Sequence, residues 1–121
     1  MRVLLPAAVV QYVVPAELHG RSLIAISAPI INTDIVGHDP VVSITDRLGN
    51  VVMVYPGDQQ IAAATTTQVV WSIAGAAYNN TAVDVLVIPL DGMTLEEGDI
   101  ILVDLTDGSM SITAPWILVI E

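Results

Sequence analysis

A chain of 121 residues suits one domain, and with 54% hydrophobic against only 13% charged residues it has little charge with which to wet its surface. Thirteen acidic side chains face three basic ones, Arg2, Arg21 and Arg47, and the net charge of −10 excludes nucleic acid as a direct partner, because phosphate binding draws its affinity from cations. Anionic membrane surfaces are disfavoured for the same reason, the absence of cysteine excludes disulfides and thiolate metal sites, and no stretch of about 20 residues reads as a spanning helix. The shortage of charge reads as surface reserved for partners.

The opening run, residues 1–10 (MRVLLPAAVV), has the basic start and apolar run of an export signal but is broken at Pro6, and export is not expected. Residues 9–14 (VVQYVV) read as the first strand, rich in β-branched side chains and closed by Pro15. Residues 15–21 read as a turn or a single helical turn stopped by Gly20, and residues 23–27 as the second strand, with Pro29 marking an edge or a bend. Periodicity leaves open whether residues 1–35 are inner strands or an arm lying on another subunit, ahead of a sandwich domain over residues 36–121.

Residues 32–40 are a loop on composition. Strands at 41–45 and 51–55 flank Asp46-Arg47-Leu48-Gly49-Asn50, the clearest hairpin connection in the chain, and Pro56-Gly57-Asp58 stops it. Residues 59–64 are ambiguous between a helical turn and a rim loop. Residues 65–74 form a long strand around Trp71, and residues 75–81 are a loop.

Residues 83–105 carry the strongest pattern. Two strands, at 83–88 and 100–105, are expected to form a central hairpin whose connection holds Asp91-Gly92 and Gly98. Both strands are apolar on both faces, Val85, Val87, Ile101 and Val103 on one and Leu86, Ile88, Ile100 and Leu102 on the other. One interior covers only one face, so the other is expected to meet a partner. Asp107-Gly108 is a tight turn, and Ile112 and residues 116–120 supply the last strand behind Pro115. The rhythm predicts an all-β chain, a sandwich or jelly-roll-like fold of eight or nine antiparallel strands.

The chemistry of a catalytic site is missing. His19 and His38 sit in polar loops without metal-ligand spacing and read as solvated residues. The acidic runs at 94–99 (TLEEGD) and 104–108 (DLTDG) match no calcium loop and read as charged edges and turn formers. No nucleophile elbow accompanies the serines, and five aromatic residues make a poor sugar platform. Trp71 and Trp116 read as core or interface anchors, and Asn79-Asn80-Thr81, a glycosylation sequon, is assigned no role. No enzyme activity, metal or cofactor is expected.

Residues 41–76, followed by residues 85–103, resemble small virion proteins of tailed bacteriophages, in which a strand, an Asp-x-x-Gly-Asn turn and a second strand lead to a threonine-rich strand and a later hairpin. Asp46, Gly49 and Asn50 carry the first part, and Pro89, Leu95, Gly98, Asp99 and Ile101 the second. The resemblance implies a capsid decoration or cement protein on the exterior of the virion, a homodimer or homotrimer bound to the major capsid protein. The interface residues expected on that reading are Trp71, Val85, Val87, Leu86, Ile88, Ile101, Val103 and Trp116. The alternative is a glycan-binding module of a tail or fibre, which needs Tyr78, Tyr55 or Trp116 exposed beside the acidic loops.

Overall fold

In the computed structural model, which describes residues 1–56, 60–73, 78–80, 85–105 and 108–121, the chain is a β-sandwich of two open sheets. In chain order the strands are β1 (Arg2–Leu5), β2 (Gln11–Val13), β3 (Ser22–Asn32), β4 (Val41–Thr45), β5 (Val51–Pro56), β6 (Thr65–Ser72), β7 (Tyr78–Asn80), β8 (Val85–Pro89), β9 (Met93–Thr94), β10 (Ile100–Asp104), β11 (Met110–Ile112) and β12 (Trp116–Ile120). The larger sheet runs β1-β12-β3-β6-β8-β7, with β9 and β11 also on β3; the smaller runs β2-β10-β4-β5. The expected Gly57-Asp58 turn, part of the 75–81 loop with the sequon's Thr81, the strand start at Val83 and Asp84, and Thr106 and Asp107 lie outside the described residues.

Twelve described strands exceed the eight or nine expected, because short ones such as β9 and β11 are too brief to show a period. Residues 1–35 supply β1, β2 and β3 to the same two sheets, and β1 lies along β12, where the Met1 amine donates to the Ile120 carbonyl at 2.8 Å. Residues 15–21 form a single 3-10 turn, Ala16–Leu18, with Gly20 at a φ of +84° behind it.

Strand β3 is the spine. Its eleven residues run straight through Pro29, which was expected to mark an edge or bend. The proline is tolerated because it sits where β12 has ended and β11 has not begun: β12 pairs as far as Ser27 and β11 starts at Ile30. There the missing N–H leaves no rung broken, and the Pro29 carbonyl still accepts from the Thr113 N–H at 3.0 Å.

The expected central hairpin is not formed. Strand β8 pairs with β6 and β7 in the large sheet, whereas β10 pairs with β2 and β4 in the small one. The two most apolar strands therefore lie in opposite sheets and contribute to one core. Leu86 and Ile88 from β8 and Ile101 and Val103 from β10 all enter that core, which removes four large side chains from water. The β6–β8 pairing is also parallel, a departure from the expected antiparallel set: β7 takes the sheet edge first and β8 returns between it and β6.

One core joins the sheets. Its largest side chains are Trp71 and Trp116, both fully buried, with Leu23, Ile26, Ile30 and Leu118 from the large sheet over Ile44 and Ile101 from the small one. Each indole N–H also binds a carbonyl, Trp71 to Tyr55 at 3.2 Å and Trp116 to Val9 at 2.7 Å.

Candidate functional site

Alternation decides what each sheet shows outward. On the small sheet, Val42, Ile44, Ile101 and Val103 point inward, so their neighbours Ser43, Thr45, Ile100 and Leu102 point out. The register lines these up across the strands: Val13, Ile100, Thr45 and Val51 form one row, and Gln11, Leu102, Ser43 and Val54 the next. Val13, Val51 and Val54 are 53%, 63% and 51% exposed, far more than buried packing would leave. The large sheet is similar, with a row of Leu4, Ile117, Ser27, Val70 and Val87 across β1, β12, β3, β6 and β8.

Charge is sparse on both faces, where Arg2 and Asp104 each stand at the end of a strand. Among the described charged residues only Arg2 and Asp104 lie in strands; the rest occupy loops, turns and the C-terminus. The result is two broad charge-poor faces with an acidic periphery.

Six of the eight residues expected at an interface are thereby corrected. Trp71, Leu86, Ile88, Ile101, Val103 and Trp116 are at most 2% exposed and belong to the chain's own core, so a partner cannot reach them. Val85 and Val87 alone keep partial exposure, on the outer side of β8. Both expected face groupings fail for the same reason. Since β8 and β10 lie in opposite sheets, Leu86 and Ile88 share an interior with Ile101 and Val103, while Val85 and Val87 look out one way and Ile100 and Leu102 the other.

A cleft of about 340 Å³ opens between the 46–50 turn, the 96–99 turn and His19. Three of its polar side chains are engaged by main-chain N–H groups. Asp46 accepts from the N–H groups of Leu48 and Asn50, both at 2.9 Å, and Asp99 from that of Glu96 at 2.9 Å. His19 accepts from the Glu97 N–H through Nδ1 at 3.2 Å, which places the neutral ring's proton on Nε2. Among the described residues no three His, Asp or Glu side chains converge as a cation would require. Gly98, in the 96–99 turn, takes a φ of +87°, and a Cβ there would stand 2.8 Å from Arg47 Cβ; Gly49, at +86°, has open space. Gly49→Ala is expected to cost about 1 kcal/mol from backbone strain alone, and Gly98→Ala a further 1–2 kcal/mol for overpacking against Arg47, as read from urea unfolding.

A second polar cluster lies in the 33–40 loop. His38 Nε2 meets Asp34 Oδ2 at 2.8 Å, and Ser109 Oγ donates to the same oxygen at 3.4 Å. The carboxylate stands between imidazole and hydroxyl, whereas a nucleophilic triad needs the imidazole in the middle. These groups clamp the loop. Beneath them Asn32, fully buried, donates through Nδ2 to the Val36 and Ile61 carbonyls at 2.8 and 3.0 Å and accepts from the Asp34 N–H at 3.0 Å.

The His38 contact, then the Ile35 N–H, holds the Asp34 carboxyl below the ordinary value of 3.8, and the Asn50 N–H foremost does the same for Asp46. A carboxyl depressed in the folded state contributes stability above its unfolded value that is lost as pH falls through its folded value. The urea midpoint is therefore expected to hold steady from pH 7 to 5 and to drop below about pH 4, with a shallower drop in Asp34→Asn.

Tyr55 and Trp116 are buried at 6% and 0% exposure, which removes two of the three alternative aromatics offered for a glycan site; the Tyr78 side chain lies outside the described residues. The Tyr55 hydroxyl finds no partner among the described residues, and burial, then the Asp91 charge, raises its pKa. No described helix is long and apolar enough to cross a membrane. Comparison with protein-family models, with curated proteins and with solved structures gives no match.

Proposed function

We propose that this chain is a structural protein of a phage head, a decoration or cement protein that sits on the capsid exterior as an oligomer and braces joints between major capsid subunits. The carrying observation is the charge-poor outer face of the small sheet, with valines about half exposed and, among the described residues, Asp104 alone as a strand charge, at the end of β10. Apolar surface left open in rows across a flat sheet is suited to burial against another protein surface. The likeness of residues 41–103 to small virion proteins supports the same reading. The role needs binding and no catalysis, nucleic acid or membrane.

Area argues for more than one copy. Four strands about 4.8 Å apart and five residues long cover roughly 300 Å², well short of the roughly 800 Å² per partner of a standard interface. Several copies bound together multiply weak contacts into firm attachment.

The test uses heads of the encoding phage assembled without this chain. Purified protein is expected to co-sediment with them saturably, at a fixed copy number per capsid, and to raise the temperature at which they rupture. Protein that stays in the supernatant at saturating concentration would refute the assignment.

A further inference from the structure

The outer face of the small sheet is bounded at both ends by carboxylates. Thr45 of β4 and Ile100 of β10 pair in the row that also holds Val13 and Val51. The residues just beyond them, Asp46 and Asp99, line the cleft together with Glu96 and Glu97, so the cleft opens directly at the end of the apolar row. Glu17 follows β2 at the same end, and Asp104 and Asp39 stand at the other, beside Val41. Against them Arg47 is the one cation on these elements. Arg2, Arg21 and the Met1 amine belong to β1 and the start of β3, in the large sheet. Arg47 acts on its neighbour Asp46, whereas Glu96 and Glu97 are exposed and, among the described residues, have no cation of this chain within ion-pair distance.

We infer that this face docks on a protein surface made of an apolar strip flanked by arginine or lysine, with one such cation seated in the cleft beside Glu96 and Glu97. Charge selects the occupant. Half-exposed valines call for an apolar counterpart, while carboxylates at both ends repel acidic neighbours and attract basic ones. A second copy would bring the same carboxylates to the same ends. Nucleic acid and anionic membranes have no cation to offer. The cleft, about 340 Å³ and open to solvent, has room for the head of one long side chain. Arginine suits it better than lysine, because its planar fork can meet two carboxylates at once.

The inference rests on the capsid reading for the identity of the partner and adds the chemistry of its surface. Opposite charges at the rim steer the encounter, and salt screens them.

Apparent affinity in co-sedimentation with the same heads is expected to fall about tenfold between roughly 50 and roughly 500 mM sodium chloride. At the lower salt the double variant Glu96→Gln, Glu97→Gln is expected to lose about as much. Asp91→Asn with Glu121→Gln, which removes two exposed charges beyond β8 and β12 of the large sheet, is expected to bind as the wild type does. Attachment indifferent to salt, undiminished in the Glu96, Glu97 variant, or equally weakened in both variants would overturn the docking chemistry and leave the capsid role standing. A titration without heads separates the two claims. A hexapeptide of alternating valine and arginine, at millimolar concentration, is expected to shift the amide NMR signals of Val13, Thr45, Ile100 and the 96–99 turn, which a valine and glutamate hexapeptide leaves in place. Those shifts in a protein that ignores the heads would remove the capsid role alone. An arginine peptide that moves none of these signals, or moves them no more than the glutamate peptide, would overturn the inference.

Discussion

Trp71→Ala is expected to lower the stability of the chain by about 3–5 kcal/mol, the range for truncating a buried aromatic to alanine. Trp71 is fully buried on β6, where it meets the core side chains of both sheets, and its indole N–H reaches the Tyr55 carbonyl on β5. Removing it opens a cavity and cuts a direct hydrogen bond between the sheets. For a domain of this size the loss corresponds to roughly 10–20 °C in the melting midpoint, a large part of the 5–15 kcal/mol that natural domains possess. Trp71→Phe keeps most of the volume and loses the donor, so about 1–2 kcal/mol is expected. Since Trp116 is the second of only two tryptophans, its fluorescence reports unfolding in both variants. A Trp71→Ala midpoint within about 1 kcal/mol of wild type would mean that the indole does not bridge the sheets.

The second large effect is expected at Asn32, the innermost polar group. Its amide nitrogen serves two carbonyls, from Val36 and Ile61, and thereby ties both the 33–40 loop and residue 61 to the end of β3. Asn32→Asp has nearly the same shape but turns an acceptor toward those two carbonyl oxygens, in a place water does not reach. A cost of about 3–5 kcal/mol is expected at pH 7, because a buried charge is left unpaired. The deficit relative to wild type narrows as pH falls, since the protonated carboxyl can donate one of the lost hydrogen bonds. Asn32→Ala, which leaves the carbonyls unsatisfied without adding charge, is expected to cost less. Urea unfolding of the three proteins at pH 7 and pH 5 measures both differences, and an Asn32→Asp variant as stable as wild type at pH 7 would show that the loop is held by other contacts.

Some of this architecture was legible in the residues because its cause is local. The β4–β5 hairpin follows from Asp46 capturing the N–H groups of Leu48 and Asn50 while Gly49 takes a positive φ, all within five residues. The 3-10 turn stopped by Gly20 was readable for the same reason. The expected hairpin at 83–105 failed because two apolar strands alternate identically whether they pair side by side or lie in opposite sheets. Pro29 misled for a related reason, as its acceptability depends on where β12 ends, and β12 begins 87 residues later.

The same division holds for the candidate surface. Strand rhythm and composition together determined that the chain is all-β, acidic and too poor in charge to cover its surface, and that apolar residues must face outward somewhere. Which residues do so was decided only by tertiary structure. Trp71, Leu86 and Ile101 go inward and Val13, Val51 and Val54 outward because strands far apart in sequence close over one another, and a strand's inner side exists only once its opposite sheet is in place.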